Sequence, residues 1–186
     1  MSRFKAIPPE SATGRAKDLL EAVNAQLGMV PNMMRAMANA PAVLDGYLSL
    51  GGALEKGRLS VRIREQLALA VGQANQCDYC VAAHSAIGTT VGLTADQIRD
   101  SRLGTAVDSR VAALIRFARE LVEARGRVTD RDLAAVRAAG FDDGVIAEVV
   151  ANVALSVFTN YFNQVAGTDI DFPRAPELRP EPAQAV

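Results

Sequence analysis

The chain has 186 residues, 49% of them hydrophobic and 22% charged, with no tryptophan; that is the composition of an ordinary globular protein of about one domain. Twenty basic and 21 acidic side chains leave a formal net charge of -1, which argues against a nucleic-acid partner, because such binding runs on basic charge. The N-terminus, MSRFKAIPPE, turns to proline where a secretion signal would be apolar, and the longest apolar tract, 145–158, carries Glu148 and Asn152 and is too short to span a bilayer, so the expectation is a cytoplasmic protein with no membrane partner.

Helix signals recur along the whole chain and no strand-and-turn series competes with them. A first helix fits residues 11–27, stopped by Gly28, and a short one fits 32–39. Pro41 suits the first turn of a third, running to about Lys56 and weakened by Gly51 and Gly52. Ser60 can cap a helix whose apolar side includes Ile63, Leu67, Ala70 and Val71. Asn75 and Gln76 read as a break, and residues 77–88 as a new helix. Thr94 and Gln97 have capping-box spacing. Residues 109–125 are strongly amphipathic, Thr129 caps a helix ending at Gly140, and Asp143 is expected to cap a last long helix to about Ala166. The predicted fold class is therefore all-α, with one helical domain over residues 1–172. Residues 173–186 hold Pro173, Pro176, Pro180 and Pro182, four of the eight prolines, and are expected to form an extended tail.

Aligning Glu65 with Glu148 sets REQLALAVGQANQCDYC against AEVVANVALSVFTNYFN. An acid, a long apolar helix and polar residues recur at the same offsets, which suggests two related helical halves. Asn160 then stands in the place of Cys77 and Asn163 in the place of Cys80. Both asparagines are expected to be buried hydrogen-bonding residues.

The chemistry gathers in QCDYCVAAHS, residues 76–85, which holds both cysteines, Cys77 and Cys80, and the single histidine, His84. In a reducing compartment two nearby cysteines point to metal or redox chemistry over a permanent disulfide. On a helix the three side chains share one face, and Cys80 and His84 form an i, i+4 pair. A nearby imidazole and a helix N-terminus both favour the thiolate, the reactive form of cysteine. Glu65 lies twelve residues before Cys77. On one unbroken helix it would point about 120° away, but a break at Asn75–Gln76 lets its helix fold back so that the carboxylate can orient His84. The plainer readings are inert core cysteines, a Glu65 paired with Arg62 or Arg64, and a zinc site from Cys77, Cys80, His84 and Glu65. Zinc is disfavoured, because no second ligand couple exists and three ligands crowd one helix.

The spacing E-x11-C-x2-C-x3-H, with the flanking run over 59–93, resembles the core of the AhpD-like alkylhydroperoxidases of the carboxymuconolactone decarboxylase family. The resemblance implies an AhpD-like helical bundle with a CxxC helix, assembled as a homo-oligomer (trimer or hexamer). It implies reduction of hydrogen peroxide or organic hydroperoxides with no metal or other cofactor. In such enzymes the second cysteine of the motif attacks the peroxide, which carries over to Cys80, and the first resolves, which carries over to Cys77. His84 matches the imidazole of the proton relay and Glu65 its supporting acid. The implied partner is a dithiol reductant, lipoyl-bearing or thioredoxin-like. One departure stands out: the best-known members have a second histidine between the cysteines, and here that residue is Tyr79. The alternatives from the dithiol alone are a protein disulfide oxidoreductase and a non-catalytic redox-responsive interaction protein. The peroxidase reading expects the Cys80 sulfur to be ionised, exposed and within bonding reach of Cys77.

Overall fold

Acceptor side chains start six of the nine α-helices among the described residues, and left-handed residues stop several of them. In the computed structural model, which describes residues 2–178, Ser60 Oγ accepts the Ile63 N–H. Thr94 with Gln97, and Thr129 with Asp132, form reciprocal capping boxes. Each such cap satisfies N–H groups that the helix leaves orphaned, and is worth about 1 kcal/mol. Gly28, Gly104 and Gly167 take the left-handed conformation after their helices, where glycine has no Cβ to clash.

The resulting elements, after a 3-10 turn at Pro9–Ser11, are α1 (Gly14–Leu27), α2 (Asn32–Met37), α3 (Pro41–Leu54), α4 (Val61–Ala74), α5 (Asp78–Thr90), α6 (Ala95–Leu103), α7 (Ser109–Glu123), α8 (Asp130–Ala138) and α9 (Asp143–Ala166). The described residues contain no strand, and the all-α expectation holds. Several boundaries differ from those expected, three of them by a change of start, stop or cap with a clear local cause or marker. The first helix starts at Gly14, because residues 9–11 form the 3-10 turn. The third stops at Leu54. The last is capped by Asp142, whose carboxylate accepts the Val145 N–H at 3.0 Å, and not by Asp143.

Helix α4 is central and packs against α5, α6, α7 and α9. One apolar cluster lies between α4, α7, α8 and α9, with Val71, Leu114, Ile115, Val136 and Val149 almost wholly buried. A second joins α1, α2 and α3 to the start of α5, through Leu20, Met34, Met37 and Leu44, and includes both cysteines. Leu114 is 0% exposed, so Leu114→Ala is expected to cost about 2–5 kcal/mol, read as a lower midpoint in urea unfolding.

Helix α9 corrects the reading of the apolar tract. It runs 24 residues and is long and apolar enough, by length and composition, to cross a membrane. Here it lies against α3, α4, α5 and α7, and turns Asn152, Ser156, Thr159, Asn160 and Asn163 inward. It also limits the resemblance between the two halves. Where α4 breaks before Cys77, α9 continues unbroken through Asn160. Glu148, the counterpart of Glu65, accepts the N–H groups of Arg58 and Leu59 at 2.8 and 3.0 Å and so holds the loop before α4.

Residues 173–178 have no regular structure and lie on their own chain: Arg102 Nη1 donates to the Pro176 carbonyl at 2.7 Å. The rest of the proline-rich tail, with Pro180 and Pro182, lies outside the described residues.

Candidate active site

The site is built on the break between α4 and α5. Gln76 adopts φ 53°, and the Gln76 and Cys77 N–H groups donate to the carbonyls of Gln73 and Gly72 at 3.1 and 2.9 Å. This is the paired hydrogen bonding of a Schellman stop, here with glutamine where glycine is usual. The chain reverses, and α5 folds back along α4. The helices meet closely at Gly72, where a Cβ would lie 3.5 Å from Cys80 Cβ, an ordinary contact distance.

The fold-back brings Glu65 to His84. Glu65 Oε2 lies 2.7 Å from His84 Nδ1, and the two side chains are 13% and 26% exposed. Of the plainer partners for Glu65, Arg62 donates to Gln97 Oε1 at 3.1 Å, and Arg64 Nε is buried with no hydrogen-bond partner among the described residues. Burial disfavours the charged imidazole, but the charge of Glu65 and its hydrogen bond outweigh that, and the His84 pKa is raised above its ordinary value. With Nδ1–H donating to Glu65, Nε2 is the nitrogen left to carry or release a proton.

This shift makes the pair a pH-dependent stabiliser. A raised folded pKa means that its contribution is complete below the ordinary imidazole value, near about 6.5, and is lost as pH rises through the higher folded value. The stability difference between wild type and Glu65→Gln is therefore expected to be larger at about pH 6 than at about pH 9. Urea midpoints at the two pH values check this, and a gap that grows with pH would contradict it.

Cys77 and Cys80 are joined by a disulfide, with Cα atoms 5.3 Å apart. The bonding reach that the spacing suggested is therefore present. The sulfurs differ in their donors. Cys77 is the N-cap of α5, and its Sγ accepts the Cys80 N–H at 3.3 Å. The helix N-terminus thus serves Cys77 directly, whereas the sequence suggested it for Cys80 as well. Cys80 Sγ instead receives Asn163 Nδ2 from α9 at 3.4 Å.

The expected exposure of Cys80 is corrected. Cys77 is 2% and Cys80 3% exposed, inside the cluster that α1, α2 and α3 build over the start of α5. Tyr79 is part of that cover. Its hydroxyl accepts the Met33 N–H at 3.2 Å, and its ring meets Phe172 edge-on at 5.8 Å. Burial foremost pushes its pKa far up, and the residue that replaces the second histidine packs against Phe172 and holds the start of α2.

Beside the cysteine cluster lies a cavity of about 530 Å³. Glu65 and His84 reach it, with Tyr47, Leu48, Ile87 and Leu155 among its mostly apolar walls, while neither cysteine lines it. Tyr47 went unnoticed in the sequence. Burial first, and then the charges of Glu65 and Glu55, push its phenol up to about 12, so it stays a neutral hydrogen-bond donor at the cavity. No group of three or more His, Cys, Asp or Glu side chains among the described residues is placed to hold a metal ion.

Two cysteines that bond across one helical turn can cycle between dithiol and disulfide, so the fold and site define a thiol-based redox protein of the all-α class. The comparisons agree. Residues 41–124 match the carboxymuconolactone decarboxylase family. A structure described as the alkylhydroperoxidase AhpD core, an uncharacterized peroxidase-related protein from Ralstonia eutropha JMP134, superposes with TM-score 0.80 at 27% identity, over 91% of this chain and 92% of that one. An uncharacterized peroxidase-related protein from Silicibacter sp. TM1040 gives TM-score 0.73 at 23% identity, over 90% and 87%. The debrominase Bmp8 without ligand shares the fold, with TM-score 0.75 at 16% identity and 91% of each chain covered. No curated protein matches the sequence. The chain is similar to the carboxymuconolactone decarboxylase family over residues 41–124 and has the AhpD-like fold.

Proposed function

We propose that the protein is a thiol peroxidase that reduces organic hydroperoxides or hydrogen peroxide through its cysteine pair. The observation that carries this reading is the Cys77–Cys80 disulfide on α5, the helix that also carries the Glu65-paired His84. The fold does not choose the chemistry, because a debrominase shares it; the residues do.

In the reduced protein the Cys80 thiolate attacks the distal peroxide oxygen. The O–O bond breaks, Cys80 becomes a sulfenic acid, and the alkoxide or hydroxide that leaves takes a proton from His84, which Glu65 orients. The Cys77 thiol then attacks the sulfenic sulfur, water leaves, and the disulfide forms. An external dithiol reopens it by exchange and leaves oxidised. A lipoyl-bearing or thioredoxin-like protein fits that role. Assembly as a trimer or hexamer and a cytoplasmic setting complete the reading.

One observation favours a second reading. Cys77 Sγ sits on the N-terminus of α5, the place that activates the first cysteine of a CxxC pair for exchange with a protein disulfide. A coupled assay separates the two. The peroxidase consumes cumene hydroperoxide with dihydrolipoamide as donor and leaves insulin disulfides intact. Reduction of insulin without peroxide consumption would reverse the order of the readings.

A further inference from the structure

We propose that Asn163 on α9 is the donor that holds the Cys80 sulfur as a thiolate. It would be a group of the site that acts on the reacting atom from the far half of the chain. The inference rests on the reading of Cys80 as the attacking cysteine.

The geometry is specific. Asn163 is 4% exposed, and its Nδ2 lies 3.4 Å from Cys80 Sγ and 3.2 Å from Met33 Sδ. Its Oδ1 is buried with no hydrogen-bond partner among the described residues. A buried amide oxygen without a partner costs free energy, so the orientation needs a reason. The opposite one would aim Oδ1 at two sulfurs, a thioether and a disulfide, neither of which carries a proton to give. The NH2 group therefore faces the sulfurs. When the disulfide opens, the N–H that touches Cys80 meets a group able to ionise, and a hydrogen bond to an anion is about twice as strong as one to a neutral acceptor. Hydrogen bonding to the charged form favours that form.

Cys80 has need of such a donor. The helix N-terminus gives its N–H to Cys77, not to Cys80. The titratable side chains in and beside the cluster are Cys77 and Tyr79 next to Cys80, Asp171 beside the Tyr79 phenol, Tyr47 from α3, and the Glu65–His84 pair; a carboxylate such as Asp171 disfavours a thiolate. Both phenols are neutral at working pH, and His84 gives Nδ1 to Glu65 while its Nε2 serves the leaving group in the proposed reaction. From α9 Asn163 reaches the sulfur, and from α2 Met33 Sδ lies beside the same amide; of the two the amide alone can donate. The alignment of the two halves places Asn163 opposite Cys80; the fold converts that correspondence into a contact.

The test uses the reduced full-length protein with Cys77→Ser, in which Cys80 is the only thiol and serine keeps the cap of α5. The Cys80 pKa is read from thiolate absorbance against pH, and its alkylation rate by iodoacetamide at pH 7. The parent is expected to titrate below the free-thiol value of about 8.5. Asn163→Leu, similar in volume and without donors, is expected to raise that pKa by about one unit and slow alkylation about tenfold. Asn163→Asp, an acceptor in the same place, is expected to raise it further. A low pKa in the parent that neither substitution moves would overturn the assignment to Asn163 and leave Cys80 as the attacking thiol. A parent pKa at or above the free-thiol value would instead overturn the reading of Cys80 and the Asn163 proposal with it. Should either variant fail to fold, the Asn163 side-chain amide protons in 15N-asparagine-labelled Cys77→Ser protein decide. They are expected to shift with the Cys80 titration, and a resonance that ignores it would refute the contact.

Discussion

Cys80→Ser is expected to abolish peroxide turnover with a dithiol donor, a loss on the order of 10⁴-fold or more, because removal of a nucleophile removes the covalent route entirely. The physical ground is the sulfur itself. Serine is nearly the same shape, so the cover formed by Met33, Tyr79 and Asn163 is retained, while a hydroxyl cannot ionise near neutral pH or expand to a sulfenic acid. Cys77→Ser is expected to behave differently. Peroxide is still reduced once per chain, but steady turnover stops, since no second thiol remains to resolve the sulfenic acid. Stopped-flow measurement of peroxide loss, with and without donor, separates the two outcomes. Equal steady-state loss with a full first turnover in Cys80→Ser would exchange the roles of the two cysteines.

Glu65→Gln carries the second large effect. Glutamine keeps the size and one acceptor, but removes the negative charge that raises the His84 pKa against its burial. Two consequences follow in sequence. The rate at neutral pH falls about 10²-fold, the lower end of what a positioned acid contributes. The rate also depends on protonated His84, so it declines as pH rises through that pKa. Without the carboxylate the pKa drops, and the decline moves to lower pH. A plot of kcat/KM for cumene hydroperoxide against pH reads both effects, and His84→Gln should erase the limb altogether. A limb that stays in place in Glu65→Gln would remove Glu65 from the relay and leave it a packing residue.

Local signals made much of this structure legible in advance. Ser60, Thr94 and Thr129 start helices as their side chains suggest, since a cap depends on residues three apart. Asp142 and Asp143 compete for one role, and sequence alone does not say which carboxylate reaches the Val145 N–H. The Glu65–His84 pair was visible for a similar reason: once Asn75 and Gln76 were read as a break, folding α5 back along α4 was the simple way to bring an acid to the imidazole. Burial of the sulfurs was not visible. It is made by Met33 and Phe172, which meet Tyr79 from 46 and 93 residues away, and by Asn163, which meets Cys80 from 83 residues away, and no periodicity encodes such distances. Tyr47 was missed likewise, since its phenol becomes unusual only when α3 sets it beside Glu65. Asn163 left a faint trace, in that the comparison of halves put it opposite Cys80.

The central claim is that Cys80 takes the oxygen and Cys77 closes the bond. Intact mass of the reduced protein after one equivalent of peroxide tests it most directly. Wild type should lose two protons, and Cys77→Ser should gain one oxygen, which peptide mapping places on Cys80. Oxygen on any other residue, or no reaction of the Cys77→Ser protein at all, would contradict the account.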